Sequence, residues 1–428
     1  VRLQRKSVIA FVVGSVVLVG CTADEDDATA TTDEATVTTE ESAVTAAADP
    51  SATTAPVSDD CELAQGVTDT GVKFGVTTPL SGNAASIGQQ HLDAQEAFVE
   101  MVNDAGGING RTLTIVSQDD GFDPQKAVTN AQFLMEQEKV FAIWGNVGSA
   151  PSSAVMPMTV AAEVPFLFPY ALGRDMTTPV NEYVYSIATP AFDQNVALST
   201  FMSTDEAFVG KSIGLMVINS PDGAETADGF MAGPSADNVV SSQTYDRGTA
   251  TFKAQLLEFQ SSGAEVIYIG VNDAEFSKIL SEANDIGLEA IFYGSTGAVT
   301  GVPFELAGDF VDGNFGLVFV APVDGDEPGL AELNAALEEY KPGEDAGTFS
   351  VHAWASGMVI AEALEQAGDC LSLENFNNAM QSITDFDTGG LTGPITFTSE
   401  SHLGNRSIRP VKAEGGAWGT YADWITPS

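Results

Sequence analysis

From Val72 onward, short runs of consecutive apolar residues alternate with stretches in which apolar positions recur every three to four residues. The runs predict buried parallel strands and the stretches between them predict covering helices, the signature of an α/β chain. Strands are expected at Lys73 to Thr77, Leu113 to Ser117, Val140 to Trp144, Val164 to Phe168 and Tyr183 to Ile187. A second series follows Pro190, with strands at Ile213 to Ile218, Val239 to Tyr245, Val266 to Val271, Ala290 to Tyr293 and near Phe315 to Val320. Helices are placed between them, among them Thr251 to Ser261 and Ala274 to Ile286. Two similar alternating units in series are therefore expected.

The tail is patterned differently. Helices at Leu330 to Tyr340, Thr348 to Ala367 and Leu373 to Ser382 have no strands of their own to cover. After Gly389-Gly390, the segments Gly393 to Phe397 and Ile408 to Val411 read as the two arms of a hairpin. Helices and then a hairpin, behind two complete sheet units, imply that the chain returns to the first unit and then to the second. Several crossings between two lobes make a hinge.

The segment before Val72 is of another kind. Arg2, Arg5 and Lys6 precede the apolar run Val8 to Val19. Such a run, about a dozen residues, is too short to span a bilayer but suits a signal peptide. It ends in Leu18-Val19-Gly20-Cys21, which resembles the lipobox of bacterial lipoproteins, so residues 1–20 are expected to be removed and Cys21 lipidated. Residues 21–60 are Ala, Thr, Ser, Asp and Glu with almost no large apolar side chain, and read as a disordered acidic tether. The expected location is the outer face of the bacterial cytoplasmic membrane, or the periplasm. The remaining cysteines, Cys61 and Cys370, are an even pair in an exported chain and suggest a disulfide, two free thiols being the alternative.

Composition narrows the function. A 428-residue chain with 44% hydrophobic residues has material for two domains. Its formal charge of −44 argues against nucleic acid and against adsorption to an anionic membrane, leaving the lipid as the only membrane contact. His91, His352 and His402 lack ligand spacing, so no metal and no cofactor are expected. Enzyme motifs also fail. Gly210-Lys211-Ser212 has Asp205 where a phosphate loop needs its first glycine, and no Gly-x-Gly-x-x-Gly follows a strand. Gly294-Ser295-Thr296-Gly297 is one residue short of a nucleophile elbow, and Asp119-Asp120 is consistent with strand-end and helix-start solvation. The chain is read as a binder, with a hydrolase as the rival outside that class.

The chemistry concentrates around Gly145 to Ser149. A strand, a Gly/Ser loop and a helix start bring backbone N–H groups and the Ser149 hydroxyl to a sheet edge, which suits a small polar or anionic group. The alternative is that Ser149 or Ser152 only caps the helix. Trp144 and Tyr170 have the alternative role of core aromatics.

Several motifs then fall in order: Thr78-Pro79-Leu80-Ser81-Gly82, Ala105-Gly106-Gly107-Ile108-Asn109-Gly110, Gln118-Asp119-Asp120 with Asp123-Pro124, and Gly145 to Ser149. In this order the chain resembles the solute-binding proteins of ABC transporters in the branched-chain amino-acid (Leu/Ile/Val) family. The resemblance implies the type I periplasmic-binding fold, two Rossmann-like parallel-sheet lobes joined by a three-crossing hinge. The limits implied are 68–189 with 322–388 for lobe I and 190–321 with 389–428 for lobe II. It also implies a monomer that encloses a small-molecule solute and delivers it to a permease and ATPase. A sensor of the same fold, or a binder of amides, urea or small carboxylates, is the rival reading.

Transferred position by position, the serine that holds the ligand carboxylate falls on Ser149, and the following loop contacts fall on Tyr170, Ala171 and Leu172. A hydroxyl expected at Leu172 is missing. Asn146, in the glycine loop, joins the candidates. A tyrosine of the second lobe falls on Asp222 and another on Asn272 or Asp273. The glutamate that pairs with the amino group falls on Thr296, so the usual countercharge for an ammonium is absent, with Asp222 or Asp273 as the alternative source of one from another direction.

Overall fold

The computed structural model describes residues 61–427. Residues 1–60, with the expected signal peptide, Cys21 and the tether, lie outside the described residues.

The first series comprises β1 (Gly71–Thr78), α1 (Ala85–Asp104), β2 (Thr112–Asp119), α2 (Pro124–Glu136), β3 (Ala142–Trp144), α3 (Ser149–Ala161), β4 (Phe166–Leu167) and β5 (Val184–Tyr185). These strands form a five-stranded sheet in the order β2-β1-β3-β4-β5, with every neighbouring pair parallel. The apolar runs are strands because both faces of the sheet are covered: Phe74, Ile143, Trp144 and Phe166 are fully buried. Trp144 is a core side chain, its indole N–H donating to Ser356 Oγ at 2.8 Å. Asp123 caps α2 through backbone N–H groups of Gln125 and Lys126, ahead of Pro124.

The second series comprises α4 (Ala191–Met202), β6 (Ile213–Ile218), α5 (Pro221–Ala232), β7 (Val239–Tyr245), α6 (Lys253–Ser262) and β8 (Val266–Gly270). It continues through α7 (Asp273–Asp285), β9 (Ile291–Gly294), the short α8 (Val302–Ala307) and β10 (Phe315–Val318). Three helices follow, α9 (Pro328–Tyr340), α10 (Thr348–Ala367) and α11 (Leu373–Ser382), and their apolar faces join the core around Phe74 and Trp144 of the first sheet and Phe98 of α1. The chain closes with β11 (Arg409–Glu414) and β12 (Ala417–Thr420). The second sheet has seven strands in the order β12-β11-β10-β9-β8-β6-β7, antiparallel only where the last hairpin joins.

The hairpin differs from the sequence expectation. Its arms are β11 and β12, turning at Gly415-Gly416, where both residues have positive φ (63° and 84°) as a tight two-residue turn demands. Gly393 to Phe397 does not pair with Ile408 to Val411. Ile395 instead exchanges two hydrogen bonds with Phe386, just after α11. Proline at 394 leaves that segment short of a ladder donor.

The chain passes between the sheets three times: from β5 to α4, from β10 to α9 and from α11 to β11. These segments are hydrogen-bonded to one another. Ser186 exchanges backbone bonds with His402 and Gly404 at 2.9 and 2.8 Å, Thr189 Oγ1 donates to Asn405 and Ser407 carbonyls, and Asn405 Nδ2 donates to the Phe319 carbonyl at 2.9 Å. Cys61 and Cys370 are joined, with Cα atoms 5.7 Å apart, holding the start of the described chain beside α11.

Candidate functional site

In each sheet the strand order reverses once. In the first the reversal lies between β1 and β3, and in the second between β6 and β8. At such a point neighbouring connections leave in opposite directions, and a crevice opens beyond the carboxyl ends of the strands. Here residues from both reversals line one cavity of about 250 Å³.

The first sheet contributes Ser149 and Leu172. Gly148, with φ 109°, turns the chain from β3 into α3, and a Cβ there would lie 2.6 Å from the Phe122 ring. Ser149 is thereby the first residue of α3, whose amino end has no side-chain cap and no acid in its first turn. Ser149 Oγ accepts the backbone N–H of Leu172 at 3.3 Å, and both residues line the cavity. Ser152 is buried and bonds inward, to the Asn146 side-chain oxygen at 2.9 Å and the Gly148 carbonyl at 2.8 Å.

The second sheet supplies most of the remaining wall. Asp222 sits in the first turn of α5 behind the Ser220 cap, and Asn272 caps α7 by accepting from Glu275 N at 2.9 Å. Thr296 is buried and donates to Gln194 Oε1 at 2.8 Å. Tyr245, at the end of β7, donates to Glu275 Oε2 at 2.9 Å, and burial and that carboxylate both push its phenol upward, so it stays protonated. Tyr268 Oη and Asn195 Oδ1 are buried beside the cavity, and neither has a hydrogen-bond partner among the described residues. Burial pushes the Tyr268 phenol up, with Asn195 offsetting part of the effect. Arg247 reaches the same wall, and among the described residues it makes no ion pair.

A second cavity of about 560 Å³ adjoins the first and shares Asn272, Thr296 and Gly297 with it. Tyr170 and Phe349 form one side, with ring centroids 4.4 Å apart, and Val299, Val302 and Trp418 the other. Trp418 is held by its indole N–H donating to the Thr300 carbonyl at 2.9 Å.

Of the residues singled out from sequence, Ser149, Leu172, Asp222, Asn272 and Thr296 meet in the first cavity. Tyr170 and Asp273 line the second. Asp273 accepts from Thr300 Oγ1 at 2.9 Å. Asn146 and Ala171 line neither. Asn146 is fully buried, its amide bonded to the Thr77 carbonyl and to Asp120, and Ala171 packs into the core under α3. Asp120 is itself drawn inside, where burial raises its carboxyl despite bonds from Phe122 N and Thr77. Sequence reading missed Gln194, Asn195, Tyr245, Arg247, Tyr268, Glu275, Phe349 and Trp418. Most stand at a strand's carboxyl end or a helix's first turn, but no local pattern separates them from the equivalent residues that face away.

The family model described as "Periplasmic binding protein" matches residues 71–417. The chain belongs to that family. Its members are extracytoplasmic substrate-binding proteins. This periplasmic binding protein is 24% identical to the Leu/Ile/Val-binding protein homolog 3 of Brucella melitensis, over 81% of this chain and 92% of that one. Its fold is similar to that of a branched-chain amino acid ABC transporter protein from Thermus thermophilus solved with bound valine (TM-score 0.71, 18% identity, 83% of this chain and 97% of that one). It is equally similar to the fatty acid ABC transporter substrate-binding protein from Thermomonospora curvata (TM-score 0.71, 23% identity, 86% and 95%). Among the described residues of this binding protein, no helix is long and apolar enough to cross a membrane.

Proposed function

We propose that this chain is a lipid-anchored binding protein, held outside the cell membrane through Cys21, that captures a small carboxylate-bearing solute between two lobes. It then passes the solute to the permease of an ABC importer as a monomer. The observation that carries the reading is a cavity lined from both strand-order reversals, with the uncapped amino end of α3 and Ser149 on one wall. Leucine, isoleucine and valine and fatty acids, the ligands named for the relatives, share a carboxylate, and only the amino acids add an ammonium. Backbone N–H groups at a helix start suit that group, and Arg247 adds an unpaired positive charge on the facing wall.

The mechanism is binding rather than turnover. A solute that touches Ser149 on one side and Thr296 or Asn272 on the other favours the closed arrangement by its differential contact with it. The three crossings, tied together through Ser186, Thr189 and Asn405, are the segments about which closure takes place.

Two measurements test this together. Calorimetric titration with carboxylate solutes is expected to give saturable one-to-one binding, and small-angle scattering a more compact particle with solute present. Ser149→Ala is expected to weaken binding about tenfold or more, the loss of one hydrogen bond to a charged group. Unchanged affinity in that variant removes Ser149 from the site.

A further inference from the structure

Leu172, Gly173 and Arg174 form a strap between β4 and β5 of the first sheet that ends against helices of the second. On the first side α3 holds it twice. The Leu172 N–H donates to Ser149 Oγ at 3.3 Å, and Asp175 Oδ2, next along, accepts from Ser153 Oγ at 2.6 Å. On the second side the Leu172 carbonyl accepts the backbone N–H of Ala191, the first residue of α4, at 2.9 Å. The Arg174 guanidinium carbon lies 4.2 Å from the centroid of the Phe192 ring, also in α4. Resting on the two-lobe capture reading above, we propose that Arg174 is a positioning residue. Its contact with α4 and α5 braces the lobes together before any solute arrives, and Leu172 ties that brace to Ser149.

The charges around Arg174 explain why separation is resisted. Asp193 of α4 and Glu225 of α5 are half-buried, and Glu225 Oε2 is buried with no hydrogen-bond partner among the described residues. Burial raises both carboxyls. Arg406 and then Arg174 oppose the rise at Asp193. At Glu225 the Arg174 N–H and guanidinium oppose it, while Asp222 and Asp175 add to it. Arg406 pairs with Asp193 at 3.9 Å and comes from the segment between α11 and β11, so one acid meets cations from the strap and from the third crossing. Without Arg174, the Glu225 carboxylate loses the cation that offsets its burial, and it regains water only when α5 moves off the strap. The guanidinium over the ring adds an attraction that exists only while the two are in contact. Such a contact raises the fraction of molecules already closed, and the apparent affinity for a solute scales with that fraction.

Hydrogen exchange read by mass spectrometry on the solute-free full-length protein tests the brace. The Ala191 amide is the reporter, because its acceptor Leu172 lies on the other lobe. In Arg174→Ala, exchange at Ala191 is expected to rise about threefold or more, the lower end of what a cation–π contact is worth. The β8 amides should exchange as in the wild type. Arg174→Lys keeps a cation over the ring and should stay close to the wild type. Adding Glu225→Gln to Arg174→Ala should slow the exchange again, since no buried charge is then left without its partner. If the alanine variant does not fold, Arg174→Gln carries the same expectation.

Unchanged exchange at Ala191 overturns the proposal. So does a rise of the same size in β8, which would make Arg174 an ordinary structural residue, or a lysine variant as fast as the alanine one. No solute is used, so these outcomes leave solute capture standing, and the Ser149→Ala titration can fail with the brace intact.

Discussion

Thr296 donates its hydroxyl hydrogen bond to Gln194 Oε1 across 2.8 Å, joining the wall beyond β9 to the first turn of α4. Gln194 in turn donates to the Thr189 carbonyl at 2.7 Å, and Thr189 Oγ1 reaches the carbonyls of Asn405 and Ser407 at 3.1 and 3.2 Å. A residue at the cavity is thus linked by consecutive hydrogen bonds to the first and third crossings between the sheets. Thr296→Val leaves the buried Gln194 oxygen without its donor, at a cost of about 1–3 kcal/mol of stability. Gln194→Leu removes the same bond and also the donor to the Thr189 carbonyl, so the double variant should cost less than the sum of the two single variants. Urea titration of the two single variants and the double variant measures the coupling.

A second prediction concerns acid. His91 and His352 are fully buried with ring centroids 5.7 Å apart, and their ring nitrogens have no hydrogen-bond partner among the described residues. Burial lowers His91 to about 4, partly offset by Gln95, and lowers His352 through burial and then the neighbouring His91. A depressed folded value means that the unfolded chain binds the proton first. The stabilising contribution is therefore complete above about pH 6.5 and declines as the pH falls toward 4. For His91 the full loss is roughly 3 kcal/mol. Asp120, Asp193 and Glu225 are raised by burial and act in the opposite sense, so the comparison that isolates the imidazoles is between variants. His352→Phe, set among the rings of Tyr170 and Phe319, is expected to lose less stability between pH 7 and pH 5 than the wild type does in urea titrations.

The third prediction concerns the crossings. Arg409 opens β11 and pairs with Glu327, the residue before α9, with the two side chains only 10% and 8% exposed. The guanidinium also lies 4.3 Å from the centroid of the Trp424 ring. The pair thus ties the second sheet to a helix packed on the first. Removing one partner of a buried pair leaves the other charge uncompensated, so Arg409→Met should cost about 3–5 kcal/mol. The double variant Glu327→Leu, Arg409→Met should recover much of that loss. Denaturant unfolding of the wild type, Arg409→Met and the double variant decides it, and equal losses in the single and double variants would show that the pair's charges are not the cause.

Most of the sheet architecture is legible in the chain because its strands are buried on both faces. Val140 to Trp144, Ile213 to Ile218 and Val266 to Gly270 announce themselves as apolar runs whatever lies next to them. The C-terminal hairpin was harder to read. Gly393 to Phe397 reads as an arm paired with Ile408 to Val411, yet β11 pairs with β12 across Gly415-Gly416, since partners for β11 are decided by the neighbouring β10 edge as well as by local sequence. Asn146 looked like a ligand group from its loop, and only the packing of Thr77 and Asp120 around it shows its amide turned inward.

The sequence by itself determined the alternation of strands and helices, the loops at their ends and the serine that begins α3, because these follow from local periodicity and turn chemistry. The tertiary structure alone decided which loop ends share a cavity. Ser149, Asp222, Thr296 and Trp418 belong to separate stretches of chain, and they converge through strand order and crossings, which depend on contacts between distant segments that no local pattern encodes.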